Sequence, residues 1–392
     1  MRKCEKIFEE IYERPAENTG FCPYRICPLG AHVDHQLGKV TGLALDKGIY
    51  FAYTAKHNGI VELRSMNFTK RAQFSINAVE EHKTGDWADY MRGVTLALQE
   101  RFPLRNGVAG VFEGELPIGG LSSSAAVTLV YLDALCKVNG INLNAQDMLT
   151  LAKGAENKYV GVNCGKLDQS CELLCRKEQL LYLDTKDDSY ELIPQAANMP
   201  PWQIAIFFSG LERSLAGTKF NMRVDECRAA AYALEAFSNV EYGRFEETFL
   251  RNVPRAVFDE HKERLPLNWR KRALHFYTEQ ERVDKGAQLW RQGDLQGFGQ
   301  LMFQSGESSI MNYQTGSPEL KCLYEIMLET PGIYGGRFSG AGFKGCCCAL
   351  VNPAYTKEIE ATVTEKYLAA FPEMKGHYQV TFCNTSNGLR SN

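Results

Sequence analysis

Nowhere in the 392 residues do enough apolar side chains run together to cross a bilayer, which takes about 18 or more. A basic excess is missing too. Lys and Arg number 44 against 47 Asp and Glu, a net charge of −3. Nothing in that balance draws the chain to nucleic acid or to an anionic membrane surface. Repeats and low-complexity tracts are absent. The first residues, MRKCEKIFEEIYERP, are charged and helical in pattern. They lack the apolar stretch of a secretion signal, so a cytoplasmic protein is expected. Zinc-type spacing is wanting as well: Cys171 and Cys175 stand four apart with no matching Cys or His pair nearby. The 13 cysteines are an odd count, several in apolar runs such as Cys346-Cys347-Cys348. They read as buried, reduced thiols.

What is present is ordinary globular material, 44% hydrophobic and 23% charged. Roughly 150 residues per domain suggests two or three domains. Residues 40–56 and 61–68 read as strands, rich in β-branched and aromatic side chains. Residues 86–102 read as an amphipathic helix with Asp86 as its cap, 107–116 as a strand, and 122–138 and 144–161 as helices. Pro200-Pro201 breaks the pattern before a fresh strand, QIAIFFSG. A domain boundary is placed there, dividing 1–198 from 199–392. Residues 223–300 are rich in helix formers, and CCCALV near 350 reads as a strand. Helices and strands mix without strict alternation, which favours α+β.

Three constellations carry chemistry. Pro117-Ile118-Gly119-Gly120-Leu121-Ser122-Ser123-Ser124 joins a strand to a long apolar helix. Glycines let the backbone approach a ligand. A helix N-terminus offers free N–H groups and a positive dipole end, which suit phosphate. The same stretch is compatible with a plain turn and a serine cap. No Lys stands where the common GxxxxGK[ST] loop needs one. The second constellation is Gly335-Gly336-Arg337-Phe338-Ser339-Gly340-Ala341-Gly342-Phe343-Lys344-Gly345, five glycines in eleven residues ahead of an apolar strand. The third is a set of polar residues in apolar surroundings: Arg25, His32, Asp34, His35, Glu156 and Asp168. An acid for a divalent cation and an acid beside an acceptor hydroxyl are what phosphoryl transfer needs. Each residue alone reads equally as a cap or a solvated side chain. His32, Asp34 and His35 could also hold a metal.

In this order the three constellations resemble the GHMP sugar and metabolite kinases. RICPLGAHVDH at 25–35 is similar to the sugar signature of galactokinases, Arg-x-x-x-x-Gly-Glu-His-x-Asp. LPIGGLSSSAA is similar to the family's phosphate loop, GVNCGKLDQ at 161–169 to the segment of its catalytic aspartate, and GGRFSGAGFKG to its third motif. PYRICPLGAHVDHQ, GLSSSAAV and RFSGAGFKGCC look like the plant galacturonokinase branch. The resemblance implies an α+β, two-lobed fold. Its N-terminal lobe would be ribosomal protein S5 domain 2-like and its C-terminal lobe ferredoxin-like, with ATP and a sugar meeting between them.

By position, the resemblance implies that Asp168 is the base or electrostatic partner of the anomeric hydroxyl, with Arg25 beside it. Ser124 and Glu156 would bind Mg2+. Gly119, Gly120, Leu121, Ser122, Ser123 and Ser124, with Gly340 and Gly342, would surround ATP. Ala31, His32, Asp34, Gly165 and Phe220 would face the sugar. Three departures stand out. Ala31 replaces a family Glu, the phosphate loop is one residue shorter, and Phe220 replaces a sugar-contacting Tyr. Losing that hydroxyl removes a hydrogen bond worth roughly 0.5–1.5 kcal/mol net. The expected activity is an ATP-dependent sugar 1-kinase acting on D-galacturonate, with D-galactose as the alternative acceptor. A silent relative that senses ATP and sugar is a further reading, opposed by the intact set Arg25, Ser124, Glu156 and Asp168. A mevalonate-type kinase is opposed by His32 and Asp34. The partners expected are ATP and a small sugar, with neither nucleic acid nor membrane.

Overall fold

The computed structural model describes residues 1–162, 164–211, 217–238 and 243–392, with the backbone alone for 217–219. Asn163, within the 161–169 segment, and Ser214 to Ala216, just ahead of Phe220, lie outside the described residues.

Twelve strands form two sheets among the described residues. The first is built from β1 (Asn18–Ile26), β2 (Lys39–Lys56), β3 (Ile60–Ser65), β4 (Ala72–Ser75), β5 (Gly107–Gly114), β6 (Gln179–Asp184) and β7 (Tyr190–Pro194). The second contains β8 (Gln203–Phe208), β9 (Ile333–Phe338), β10 (Cys346–Val351) and β11 (Gln379–Cys383) in the order β11-β8-β10-β9. The twelfth, β12 (Arg390–Ser391), pairs with β1 at Gly20 and Phe21, so the chain returns to its first sheet. The first sheet runs β12-β1-β2-β5-β3-β4, and β6 joins the start of β2 and carries β7. All these pairs are antiparallel except β3 with β5.

Eleven α-helices cover the described sheets. They are α1 (Lys3–Tyr12), α2 (Asp89–Gln99), α3 (Ser123–Val138), α4 (Ala145–Gly154), α5 (Leu167–Leu174), α6 (Gly217–Phe237), α7 (Arg255–His261), α8 (Leu267–Gln292), α9 (Leu295–Ser308), α10 (Pro318–Glu329) and α11 (Thr356–Ala370). Burial along β2 is nearly continuous because both of its faces are covered. On one face α1 sets Cys4 and Phe8 against Ala52 and Val111. On the other, Phe51, Tyr53 and Phe112 join Met91, Leu98, Leu129 and Val130 of α2 and α3. Strand alternation explains the triple cysteine. Cys346 and Cys348 enter the core that continues into the first sheet, and Cys347 faces α10 and α11. All 13 cysteines are free thiols.

Two boundaries differ from the sequence reading. Asp86 stands ahead of α2, whose N-cap is Ala88, and its carboxylate accepts the Ala88 amide and pairs with Arg92 instead. The helix expected over 144–161 is α-helical to Gly154 and then widens into a π-helical turn, Ala155–Val160. Such turns recur at functional sites, and this one carries Glu156. No helix among the described residues is long and apolar enough to cross a membrane.

Candidate active site

Strand β1 delivers Arg25 to the middle of the molecule, where its side chain is 3% exposed. Its Nε and Nη2 both reach Oδ1 of Asp168, each at 2.8 Å. Its Nη1 donates to the Gly120 carbonyl at 3.1 Å, and its amide reaches the Leu121 carbonyl at 3.4 Å. Burial opposes the guanidinium charge, but the neighbouring groups, Asp168 foremost, together raise the Arg25 pKa. Asp168 opens α5 and stays partly exposed. One turn further, Glu172 is fully buried. Burial first, then the Asp168 charge, pushes its carboxyl far up.

Gly120 belongs to the loop between β5 and α3. Ser122 caps α3 in a left-handed conformation, φ 58°, with its buried Oγ unpartnered. Ser123 and Ser124 follow on the first turn, partly exposed. The loop rests on the second glycine run. The Ser339 hydroxyl donates to the Gly120 carbonyl at 2.6 Å, and the Cys346 thiol to the Gly119 carbonyl at 3.4 Å. Backbone lies on backbone here. A Cβ on Gly340 would stand 2.8 Å from the Gly120 Cα, and one on Gly345 2.7 Å from the Gly119 carbonyl carbon. Gly342 instead borders Thr315.

The 25–35 segment ends in a tight turn. Gly30 and His32 both take positive φ, 97° and 63°. Ala31 is buried, and its carbonyl accepts from Nε2 of His275 on α8 at 3.0 Å. The His32 ring stacks on Tyr313 at 4.3 Å and 7°, with its buried Nε2 unpartnered. His35 contacts the Tyr313 hydroxyl at 3.0 Å and meets Phe220 of α6 edge-on at 6.0 Å. Burial holds all three imidazoles neutral: His35 falls to about 3, His275 to about 4, and His32 well below its ordinary value. The Asp34 carboxylate accepts the Leu167 amide, one residue before Asp168. Burial, then the Asp168 charge, raises it to about 6. Thus Arg25, Asp34, Gly165, Asp168, Gly120 and Gly340 form one connected cluster, and Ala31, His32 and Phe220 form its flank through His35, Tyr313 and His275.

Glu156 is buried on the π-helical turn, where Gln169 donates to its Oε1 at 3.1 Å and the Cys164 thiol lies 3.9 Å from Oε2. Among the described residues no three His, Cys, Asp or Glu side chains gather into a metal cage. A single carboxylate is compatible with Mg2+, which keeps most of its positions for water and phosphate.

Two family models match the chain, GHMP kinases N terminal domain over residues 89–176 and GHMP kinases C terminal over 287–369. A galacturonokinase of Arabidopsis thaliana is 38% identical, with 94% of this chain and 92% of that protein covered. The chain belongs to the GHMP kinase family. A galactokinase of Clostridium acetobutylicum is 32% identical over 93% of this chain and 92% of its own length. The crystal structure of Lactococcus lactis galactokinase complexed with galactose superposes with a TM-score of 0.89, at 26% identity and 98% coverage of both chains. The two-lobed GHMP kinase fold is therefore established.

Sequence reasoning missed part of this GHMP kinase's candidate site. His275, Glu279 and Tyr313 come from the helical region of the second half and border the signature turn. Their signal was faint. His275 and Glu279 stand four apart on a helix that is mostly polar, a spacing that also describes a solvated face. Ser339, inside the third motif, ties that motif to Gly120.

Proposed function

We propose that the protein is an ATP-dependent sugar 1-kinase whose acceptor is D-galacturonate. The observation that carries the reading is Arg25, which joins Asp168 to the Gly120 loop with one guanidinium. An acceptor beside Asp168 is thereby held at the edge of a loop suited to phosphate. Both Arg25 contacts fall on Oδ1, which leaves Oδ2 for the anomeric hydroxyl. That oxygen attacks the γ-phosphorus as its proton passes to Asp168. The new O–P bond forms as the bond to the β-phosphate oxygen breaks, and ADP leaves. Gly119 to Ser124 at the α3 N-terminus would hold the phosphates, with Gly340 and Gly342 behind them. Ser124 and Glu156 would hold Mg2+, which supplies charge neutralisation at the β- and γ-phosphates. His32 and Asp34 would bind sugar hydroxyls. The lobes are proposed as 1–198 and 199–392, the second sheet beginning at Gln203.

Galacturonate is preferred to galactose because of Ala31. The family Glu at that position would oppose a C6 carboxylate, whereas Ala31 removes the charge and opens space. The 38% relative named galacturonokinase supports the same choice. The test is ADP release with galacturonate, galactose, glucuronate and no sugar. A higher kcat/KM for galactose than for galacturonate would replace this acceptor with the alternative. ADP release without sugar dependence would remove the kinase reading itself.

A further inference from the structure

The turn that bears Ala31 and His32 is strained, and part of what holds it comes from the other half of the chain. Residues at positive φ persist only where their surroundings over-determine them. Leu29 is fixed from β2, where its amide and carbonyl both bond the Thr41 hydroxyl, each at 2.9 Å. The next two residues are fixed by α8. The Gly30 amide donates to Oε1 of Glu279 at 2.7 Å, and the Ala31 carbonyl accepts from Nε2 of His275 at 3.0 Å. His275 and Glu279 are four apart on one face of α8, and both are fully buried. Two turns further, a Cβ on Gly286 would stand 2.2 Å from Leu29 Cδ1, so the helix lies hard against the turn.

Each of the two side chains is itself held. Ser308 stands 2.9 Å from Nδ1 of His275. Because Nε2 must donate to the Ala31 carbonyl, Nδ1 accepts from the Ser308 hydroxyl, and only one neutral tautomer satisfies both. Glu279 takes the Ser305 hydroxyl at 2.5 Å on Oε1 and Nε of Arg282 at 2.7 Å on Oε2. Arg337 of β9 reaches Oε1 at 3.5 Å and also bonds Ser305 and Ser309. Strand β9 leads to Ser339, which bonds Gly120. One frame therefore reaches both the signature turn and the loop beside Asp168.

We infer that His275 and Glu279 are positioning residues for the acceptor sugar, acting through the Ala31 carbonyl and the Gly30 amide to hold the signature turn. The inference rests on reading that turn as the acceptor subsite.

The test exploits the reach of two amides. A Gln side chain can set its nitrogen where Nε2 of histidine stands, and an Asn side chain only where Nδ1 stands. His275→Gln keeps the donor to Ala31, and His275→Asn loses it while remaining polar. KM for the acceptor, KM for ATP and kcat are measured for both variants, with far-UV circular dichroism and melting as folding checks. The acceptor is whichever of galacturonate and galactose the wild type uses better. Failure of the galacturonate reading thus leaves this comparison intact. We expect His275→Asn to raise the acceptor KM tenfold or more, His275→Gln to stay within threefold, and the ATP KM to move less than twofold in both. Equal acceptor KM values in the two variants, or an ATP KM that rises in step, overturn the inference. If His275→Asn does not fold, Ser308→Ala takes its place, since it leaves the ring but withdraws the hydroxyl that orients it through Nδ1. It must raise the acceptor KM alone by threefold or more, and an unchanged value overturns the inference equally.

Discussion

Asp34 occupies the space that a side chain on Gly165 would need: a Cβ there would stand 2.1 Å from Asp34 Oδ2 and 2.4 Å from its Cγ. The 161–169 segment and the signature turn thus meet through a glycine and a carboxylate. Gly165→Ala should push Asp34 off the Leu167 amide and out of the position proposed to face the sugar. Hydrogen bonds to charged groups are worth about 1.5–3 kcal/mol, so kcat/KM for the sugar should fall roughly ten- to hundredfold. Steady-state kinetics at saturating ATP checks this, and wild-type kcat/KM would show that the two residues do not share the acceptor site.

Asp168→Asn should lower kcat by about 100-fold or more, the usual range for a lost proton acceptor. The amide cannot take the anomeric proton, and it leaves the Arg25 charge unpaired in a buried position. A coupled ADP assay gives the rate, and circular dichroism shows whether the fold is kept. A folded variant with normal turnover would remove Asp168 from the chemistry.

Ala31→Glu should shift preference from galacturonate toward galactose. Two like charges about 4 Å apart at an effective dielectric near 20 repel by roughly 4 kcal/mol. Galactose, with a hydroxyl at C6, would gain an acceptor from the same change. The ratio of the two kcat/KM values, in wild type and variant, is the measurement. A ratio that does not move means that Ala31 is remote from C6.

The acceptor kcat/KM should fall as the pH drops below about 6. Burial and the Asp168 charge hold Asp34 at about 6, so below that pH it is protonated and no longer accepts as a carboxylate. Above it the group is ionised and the profile should level off. Initial rates from pH 5 to 8 give the wild-type profile, and Asp34→Asn should lose this limb.

Ser124→Ala and Glu156→Gln should each raise the Mg2+ concentration needed for half-maximal rate at fixed ATP. Oxygen donors and negative charge suit a hard cation; Ser124→Ala removes a hydroxyl donor and Glu156→Gln removes a charge. Unchanged midpoints in both variants would take them out of the metal site.

The parts of the site that were legible in the sequence are those the backbone dictates. Gly119, Gly120 and Gly340 are glycines because two loops approach closely, and that demand shows in composition. Arg25, Asp34 and Asp168 were legible as charges in apolar surroundings. What the sequence hid is long-range. The pairing of Arg390 with Phe21 joins residues from opposite ends of the chain. A strand of two residues leaves no periodicity to detect. His275 meets Ala31 across a separation of 244 residues, and no local pattern records which residue such a histidine will reach. The widening of the helix at Ala155–Val160 was also invisible, since a π-helical turn shares its composition with the α-helix around it.

The seat of the 117–124 loop on the second glycine run has an evolutionary consequence. Each side of that contact is already the smallest residue available. A substitution at Gly340 cannot be rescued by shrinking Gly120, nor one at Gly345 by shrinking Gly119. The only relief is to move the main chain, which carries Ser122, Ser123 and Ser124 with it. These four glycines should therefore behave as sites without second-site suppressors, where sequence drift elsewhere in the protein gains no purchase.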